Sequence, residues 1–270
     1  ANVRGPGEDM RAGEVVIATG ASVGPAEIAV LASVGRPEVR CARRPSVAVL
    51  TTGDELVEPG TALGPGQIRN SNGYAIAAQA RAAGAEVVMR RLVPDDHDAT
   101  RAALAEAMDA VEVVCVSGGV SVGEHDHVKP ALTELGAEEI FWRVRLKPGK
   151  PTWFGRRGNA LVFGLPGNPV SAMVTFHLFA HPALRALLGA DPAQPAAEAM
   201  AGEPFPRDPE RDQAVRCSLE AGPGGWRATS TGTQNSHILT SMLGAQALAL
   251  VTAGEGEIAP GERLAVMLLP

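Results

Sequence analysis

A chain of 270 residues has room for one large or two modest domains, and 45% hydrophobic content against 20% charged lets it bury a sizeable core, which excludes global disorder. Lys and Arg number 24 against 30 Asp and Glu, and this net charge of −6 argues against a nucleic-acid binder, which needs a basic face. A local basic pocket for a small anion remains open. The three cysteines, Cys41, Cys115 and Cys217, are far apart and form no CxxC pair or Cys/His cluster. Neither a disulfide framework nor structural zinc is therefore expected, and a reduced, cytoplasmic setting fits best. No apolar run approaches the roughly 18 residues of a membrane span, so no membrane association is expected. The opening residues, Ala1 to Asp9, carry no signal-peptide pattern and no initiating Met, as expected of a fragment.

Residues 1–44 read as a short lead-in, with a possible strand at 15–18 and a helix at 26–33 opened by Pro25, whose missing N–H costs little at that position. From residue 45 the chain alternates. Val47-Ala48-Val49-Leu50 is an uninterrupted apolar run, the pattern of a strand buried on both faces. Further strands are predicted at 86–89, 111–116, before Lys147, at 152–154 and at 160–163. Helices are predicted at 72–83, with Asn70 or Ser71 as N-cap, and at 98–108, 126–135 and 169–188. Strands alternating with helices predict an α/β domain over 45–189, three-layered, with a mostly parallel sheet. Residues 190–212 hold five prolines among many charges and read as an irregular connection. Short strands then follow at 214–219, 226–229, 247–251 and 264–269, with a helical patch near 238–243. Residues 190–270 are accordingly expected to form a small C-terminal β-barrel domain.

In an open α/β sheet, ligands bind where strands end and helices begin, so the loops after the strands carry the candidate chemistry. Thr52-Gly53-Asp54-Glu55-Leu56 sets two acids after the first strand, either as ligand groups or as a solvated loop with Asp54 capping a turn. Ser117-Gly118-Gly119-Val120-Ser121-Val122-Gly123-Glu124-His125-Asp126 is Gly-rich, allowing close backbone approach to an anion, and Asp126 sits near a helix start. It is neither a GxxxxGK[ST] nor a GxGxxG loop. Arg143, Arg145, Lys147 and Lys150 crowd into one loop stiffened by Pro148, Gly149 and Pro151. On a strand, Arg143, Arg145 and Lys147 would share a face. Gly164-Leu165-Pro166-Gly167-Asn168-Pro169 is a stiff turn into a helix, either a second anion cradle or a purely structural turn. Asp95 follows the second strand, and Glu8-Asp9 lies in the lead-in. Each loop alone also reads as ordinary surface. Glu55, Asp95 and Asp126 all follow strands, and oxygen donors without soft ligands suit Mg2+ beside a phosphate.

TTGDEL at 51–56, SGGVSVGEHD at 117–126, LKPGKP at 146–151 and GLPGNPVS at 164–171, in this order, resemble the molybdopterin molybdenumtransferase family of the MoeA and gephyrin E-domain proteins. The resemblance covers nearly the whole chain: 1–44 resembles the end of the family's N-terminal region, 45–189 its molybdopterin-binding domain and 190–270 its C-terminal barrel. It implies Mg2+-dependent insertion of molybdate into adenylylated molybdopterin with release of AMP. By the same resemblance, Glu55, Asp95, Asp126 and Asp9 match the family's functional acids and metal ligands, and Lys147 a basic residue of its KPGK loop. Pro166 and Pro169 match prolines of the molybdate pocket, and Ser71 and Asn72 a Ser-Asn step near the nucleotide. Thr52, Gly53, Ser117, Gly118, Gly119 and Lys150 belong to the same motifs and are expected to contact substrate. Arg143 stands where the family is expected to carry Lys, which exchanges a point donor for a planar fork.

The resemblance also implies a longer N-terminal region that builds the family's dimer and closes the cleft, so this chain is expected to be a shortened or split member that dimerises weakly or not at all. Two other functions compete. A molybdopterin adenylyltransferase shares the Gly-rich loop but needs neither the β-rich tail nor the lead-in. A non-catalytic scaffold of the gephyrin type could keep the fold, against which the retained acids argue.

Overall fold

The computed structural model describes residues 3, 5–121, 123, 126–222 and 224–270. Val122, Glu124 and His125 of the Gly-rich loop, and Pro223 of the expected turn at 222–225, lie outside the described residues. Among those described, no helix is long and apolar enough to cross a membrane.

The first sheet has the strand order Glu86–Val93, Ser46–Thr52, Val113–Ser117, Ala160–Leu165, Trp153–Arg157, Glu138–Trp142. The first four run parallel. Trp153–Arg157 runs antiparallel to both of its neighbours, Ala160–Leu165 and Glu138–Trp142, and its pairing with Ala160–Leu165 follows from the tight Gly158-Asn159 hairpin, which permits no other. The expectation of three layers around a mostly parallel sheet holds. Along Ser46–Thr52, Ala48 and Leu50 face the helices His97–Ala110 and Val128–Glu134, while Val47 and Val49 face Asn72–Ala82 and the helical run from Pro169 to Leu187. Both faces are covered, which is why this strand is apolar at every step from Val47 to Leu50.

Helix starts follow local chemistry. Asp96 caps His97–Ala110 by accepting the Ala99 N–H at 2.8 Å. At Asn72–Ala82 the formal N-cap is Ser71, yet its hydroxyl makes no cap bond. Asn70, buried one step earlier, accepts the Gly73 N–H at 3.0 Å instead. The long helix expected at 169–188 is helical from Pro169 to Leu187 but contains a π-turn at Phe176–Ala180. Pro182 explains it. The His181 N–H reaches back to the Phe176 carbonyl, and Pro182 has no N–H to offer the His177 carbonyl one step on. The Gln194 side-chain amide donates to that carbonyl instead.

Two expectations fail in the flanking segments. Residues 15–18 form no strand, and the Pro25–Ser33 helix buries none of its residues, so the lead-in lacks the packing that would hold a strand. The supposed irregular connection at 190–212 contains the strand Ala196–Ala201. Its Ala-rich, charge-bearing sequence has low strand propensity, and pairing with Arg263–Leu268 and Gly225–Ser230 overrides that. This strand closes the second domain. Five strands, Ala196–Ala201, Arg263–Leu268, Ala247–Val251, Asp212–Gly222 and Gly225–Ser230, pair in a ring and form the C-terminal barrel. The first domain's loop also reaches this sheet, since Leu146–Lys147 pairs parallel with Asp212–Gln213. Val170 and Val174 pack against Ala214 and Leu248 in a small apolar core between the two domains.

His177 is buried beside His181, with ring centroids 5.3 Å apart. Burial, reinforced by any charge on His181, lowers the His177 pKa to about 4. An unfolded imidazole titrates near 6.5, so between these values the unfolded chain binds a proton that the folded chain rejects. Stability from this group is therefore complete above about pH 6.5 and is lost as pH falls toward 4, a change on the order of 2–3 kcal/mol. The urea midpoint should drop between pH 7 and pH 5, and His177→Leu should remove the larger part of that slope whatever its absolute stability. An unchanged slope in the variant would assign the effect to other groups.

Candidate functional site

All four parallel strands end at one cleft of about 1020 Å3. Thr52, Gly53 and Glu55 come from the first, Asp95 from the second, Ser117, Gly118, Gly119 and Asp126 from the third, and Pro166 and Pro169 from the fourth. Ser71 and Asn72 at the start of the Asn72–Ala82 helix, and Lys147 and Lys150 from the cationic loop, line it as well. The structure thus brings three acids, two lysines and the two glycines of one loop into a single depression.

The acids are held differently. Asp95 and Asp54 are tied reciprocally: the Asp95 N–H donates to Asp54 Oδ1 at 3.0 Å and the Asp54 N–H to Asp95 Oδ2 at 3.3 Å. Asp54, one of the two adjacent acids in its loop, therefore fixes the neighbouring acid loop rather than lining the cleft. Asp126 accepts the Gly123 N–H and is anchored to its own turn. Glu55 is exposed: its carbonyl accepts the Ile68 N–H at 2.8 Å, while its carboxylate has no hydrogen-bond partner among the described residues. Among those residues no three Asp, Glu, His or Cys side chains come close enough to hold a metal by themselves.

Asn72 ties the loops together. Its amide nitrogen donates to Ser117 Oγ at 2.9 Å and to the Gly167 carbonyl at 2.7 Å, while Ser117 Oγ donates to the Pro166 carbonyl at 2.9 Å. Three loops are thereby fixed by two side chains, and Asn72 also lines the cleft. The Gly-rich turn needs its glycines. Gly118 has φ 97° and Gly119 φ 65°, and a Cβ on Gly118 would stand 2.6 Å from Thr52 Oγ1. Thr52 Oγ1 is itself buried with no partner among the described residues.

The backbone donors are fewer than the motifs suggest. The Gly118 N–H is engaged by the Leu165 carbonyl, and the Val170 N–H by the Ser236 carbonyl. Pro169 has none, so the helix start there offers an anion much less than expected. The N–H groups of Gly119, Val120 and Ser121 have no acceptor among the described residues.

Two expected site residues lie elsewhere. Asp9 is exposed on the lead-in and does not line the cleft. Arg143 is not on a strand: it has φ 64°, and its guanidinium stacks on Trp142 at 4.3 Å from the ring centroid. Arg145 Nε donates to the Glu210 carbonyl, and only Leu146–Lys147 is extended, so the common face expected for 143, 145 and 147 does not form. A residue in the left-handed region breaks the alternation on which that expectation rested.

The sequence also hid one wall. Arg211 and the run Gln234 to His237, all from the barrel domain, also line the cleft. Gln234-Asn235-Ser236-His237 is a polar run with no motif of its own, and only the packing of the two domains brings it there. Asp208 links the walls, pairing with Arg211 at 2.8 Å and with Lys147 at 3.8 Å. The hydrogen bond from Arg211 holds the Asp208 carboxyl below its ordinary pKa, so it stays ionised beside the lysine.

Residues 48–186 match the family described as "Probable molybdopterin binding domain", and 198–269 match "MoeA C-terminal region (domain IV)". The chain is 35% identical over 269 residues to the molybdopterin molybdenumtransferase of Bacillus subtilis, an alignment covering 99% of this chain and 63% of that protein. It is 43% identical over 188 residues to the enzyme of that name from Haemophilus influenzae, covering 70% of this chain and 46% of that one. In three dimensions it is similar to the molybdopterin biosynthesis MoeA protein of Pyrococcus horikoshii, with TM-score 0.84 and 30% identity over 97% of this chain and 64% of that one. The chain thus matches less than two thirds of the length of each of these relatives.

Replacing Asn72 with Ala removes both loop ties at once. A loss of about 1–2 kcal/mol is expected, measured as a lower urea midpoint. A midpoint within error of the parent would show that the loops hold their places without this amide.

Proposed function

Because the chain belongs to the MoeA-type molybdopterin molybdenumtransferase family, we propose that it acts in molybdenum cofactor biosynthesis, inserting molybdenum from molybdate into adenylylated molybdopterin with release of AMP. The observation that carries this reading is the convergence of carboxylates, lysines and a Gly-rich loop at the ends of four parallel strands in one cleft. Its size suits a nucleotide-bearing pterin, and its mixed charge suits a substrate that brings both phosphate and a metal oxyanion.

Glu55, Asp95 and Asp126 are all-oxygen donors that by themselves form no closed cage, which fits a Mg2+ ion held jointly with water and substrate phosphate. When bound there, Mg2+ would shield phosphate charge as AMP departs. The chain's own groups do the rest. Lys147 and Lys150 draw in molybdate and offset the charge that develops on the leaving AMP. The N–H groups of Gly119 to Ser121, without acceptors among the described residues, would bind the anion, Asn72 keeps the loops in register, and Glu55, whose carboxylate has no partner among those residues, is the acid able to turn toward a ligand. Asp9 and Arg143 have no part in this scheme. The reaction is placed in the cytoplasm, where thiols stay reduced, and dimer formation through the family's N-terminal region would complete the cleft.

The barrel's contribution to the cleft disfavours a single-domain molybdopterin adenylyltransferase, which has no such wall. Supplying adenylylated molybdopterin, molybdate and Mg2+ and measuring AMP separates the two. Molybdate-dependent AMP release is expected, and adenylylation of molybdopterin from ATP would replace the proposal with the alternative.

Lys147 is half-exposed and its pairing with Asp208 is long, so it adds little to stability. Lys147→Ala should raise the molybdate concentration for half-maximal AMP release at least about tenfold while leaving Tm nearly unchanged. A large fall in Tm with an unaltered molybdate response would make the lysine structural. Glu55→Gln should lower AMP release and raise the Mg2+ requirement, and an unaltered Mg2+ dependence would remove Glu55 from the proposed ion site.

A further inference from the structure

Arg216 is wholly buried, and among the described residues it is the one Lys, Arg, Asp or Glu side chain that is. A buried guanidinium ordinarily needs a carboxylate, because desolvating an unpaired charge is costly. Arg216 has no such partner among the described residues. Its donors go to a single loop. Nη2 bonds the Thr233 carbonyl at 3.1 Å and Ser241 Oγ at 2.9 Å, Nη1 bonds the Gln234 carbonyl at 3.4 Å, and Nε bonds Ser241 Oγ at 3.2 Å. The backbone repeats the pattern: the Arg216 N–H donates to Gln234 Oε1 at 3.0 Å, and the Arg216 carbonyl accepts the Thr231 N–H at 3.0 Å.

This loop is the one that supplies Gln234 to His237 to the cleft. Its Ser236 carbonyl also accepts the Val170 N–H, at the start of the helix that follows the Pro166–Pro169 turn. The segment between Gly225–Ser230 and Ala247–Val251 has only a short helical turn, Leu239–Met242, for regular structure. Left to itself, a polar stretch of this length would sample many conformations. A planar fork that reaches successive carbonyls selects one of them, which an ammonium group with its point charge does not.

We propose that Arg216 is a positioning residue for the cleft: it holds the 231–241 loop in the shape that presents the barrel's wall to the substrate. It touches no substrate itself. Its effect on turnover rests on the functional reading above, whereas its effect on the loop does not.

The test uses the 270-residue chain with Arg216→Lys and, because that change falls in the barrel interior, Ser241→Ala as a second variant. Ser241 is buried, bonds Arg216 and does not line the cleft. Amide hydrogen exchange across 231–241 should accelerate at least about tenfold in both variants, while the Ser46–Thr52 and Arg263–Leu268 strands keep their protection. KM for adenylylated molybdopterin should rise by a larger factor than kcat falls, since the wall is displaced rather than the reacting groups. If Arg216→Lys loses protection everywhere, Ser241→Ala decides the matter. Unchanged exchange in the loop, or faster exchange with unchanged KM, would overturn the proposal. A parent chain that releases no AMP would sink the functional reading, while the exchange result would still decide whether Arg216 holds the loop.

Discussion

Everything in the cleft depends on four strands running parallel. Parallel neighbours cannot be joined by a tight turn, so each strand must be followed by a helix that returns the chain to the other end of the sheet. Every strand-to-helix loop therefore emerges at the same edge. Val47–Leu50 and Val113–Val116, buried on both faces, drive this arrangement, and the acids and glycines that follow them are carried to one place. Beyond Ala160–Leu165 the sheet turns antiparallel, and there the connection between Glu138–Trp142 and Trp153–Arg157 brings Lys147 and Lys150 to the same cleft.

The loops so delivered would still be independent without cross-links. Asn72 joins the Ser117 and Gly167 loops, and Asp54 and Asp95 join the loops after the first two strands. These groups act as ties, because a polar side chain bonded across two loops holds both at once. Motif residues thus divide into those that face the depression, such as Glu55 and Lys150, and those that keep its shape. The close approach of Gly118 to Thr52 adds a steric limit, since no side chain fits between the two strand ends.

The barrel turns an open edge into a cleft. Its closure by Ala196–Ala201, the pairing of Leu146–Lys147 with Asp212–Gln213 and the small core around Val170 and Leu248 set the two domains against each other. Lys147 consequently belongs to both: its strand sits in the barrel's sheet while its side chain lines the cleft. Asp208, ionised between Lys147 and Arg211, keeps positive charge concentrated at this seam without leaving it uncompensated.

Much of this was legible in the amino-acid order. Apolar runs bounded by turn residues located the strands of the α/β domain, and the position of acids and glycines immediately after those runs pointed to one sheet edge. Both signals are local, and the chain's own periodicity carries them. The sequence could not reveal the Arg143 backbone, which turns left-handed and sends its guanidinium onto Trp142, nor the strand Ala196–Ala201, whose residues favour a sheet only when partners are waiting on both sides. The π-turn before Pro182 needed the competition between a missing N–H and an available Gln194 amide. The barrel's wall of the cleft was equally hidden, because Gln234 to His237 acquire their place from Arg216 and from the Val170 N–H, groups distant in the chain. Local order along the chain determined the strands and helices of the α/β domain and the loops that line its cleft. Tertiary packing alone decided which polar groups remain exposed to a ligand and which are consumed in holding one another, since that depends on what lies opposite each of them in space.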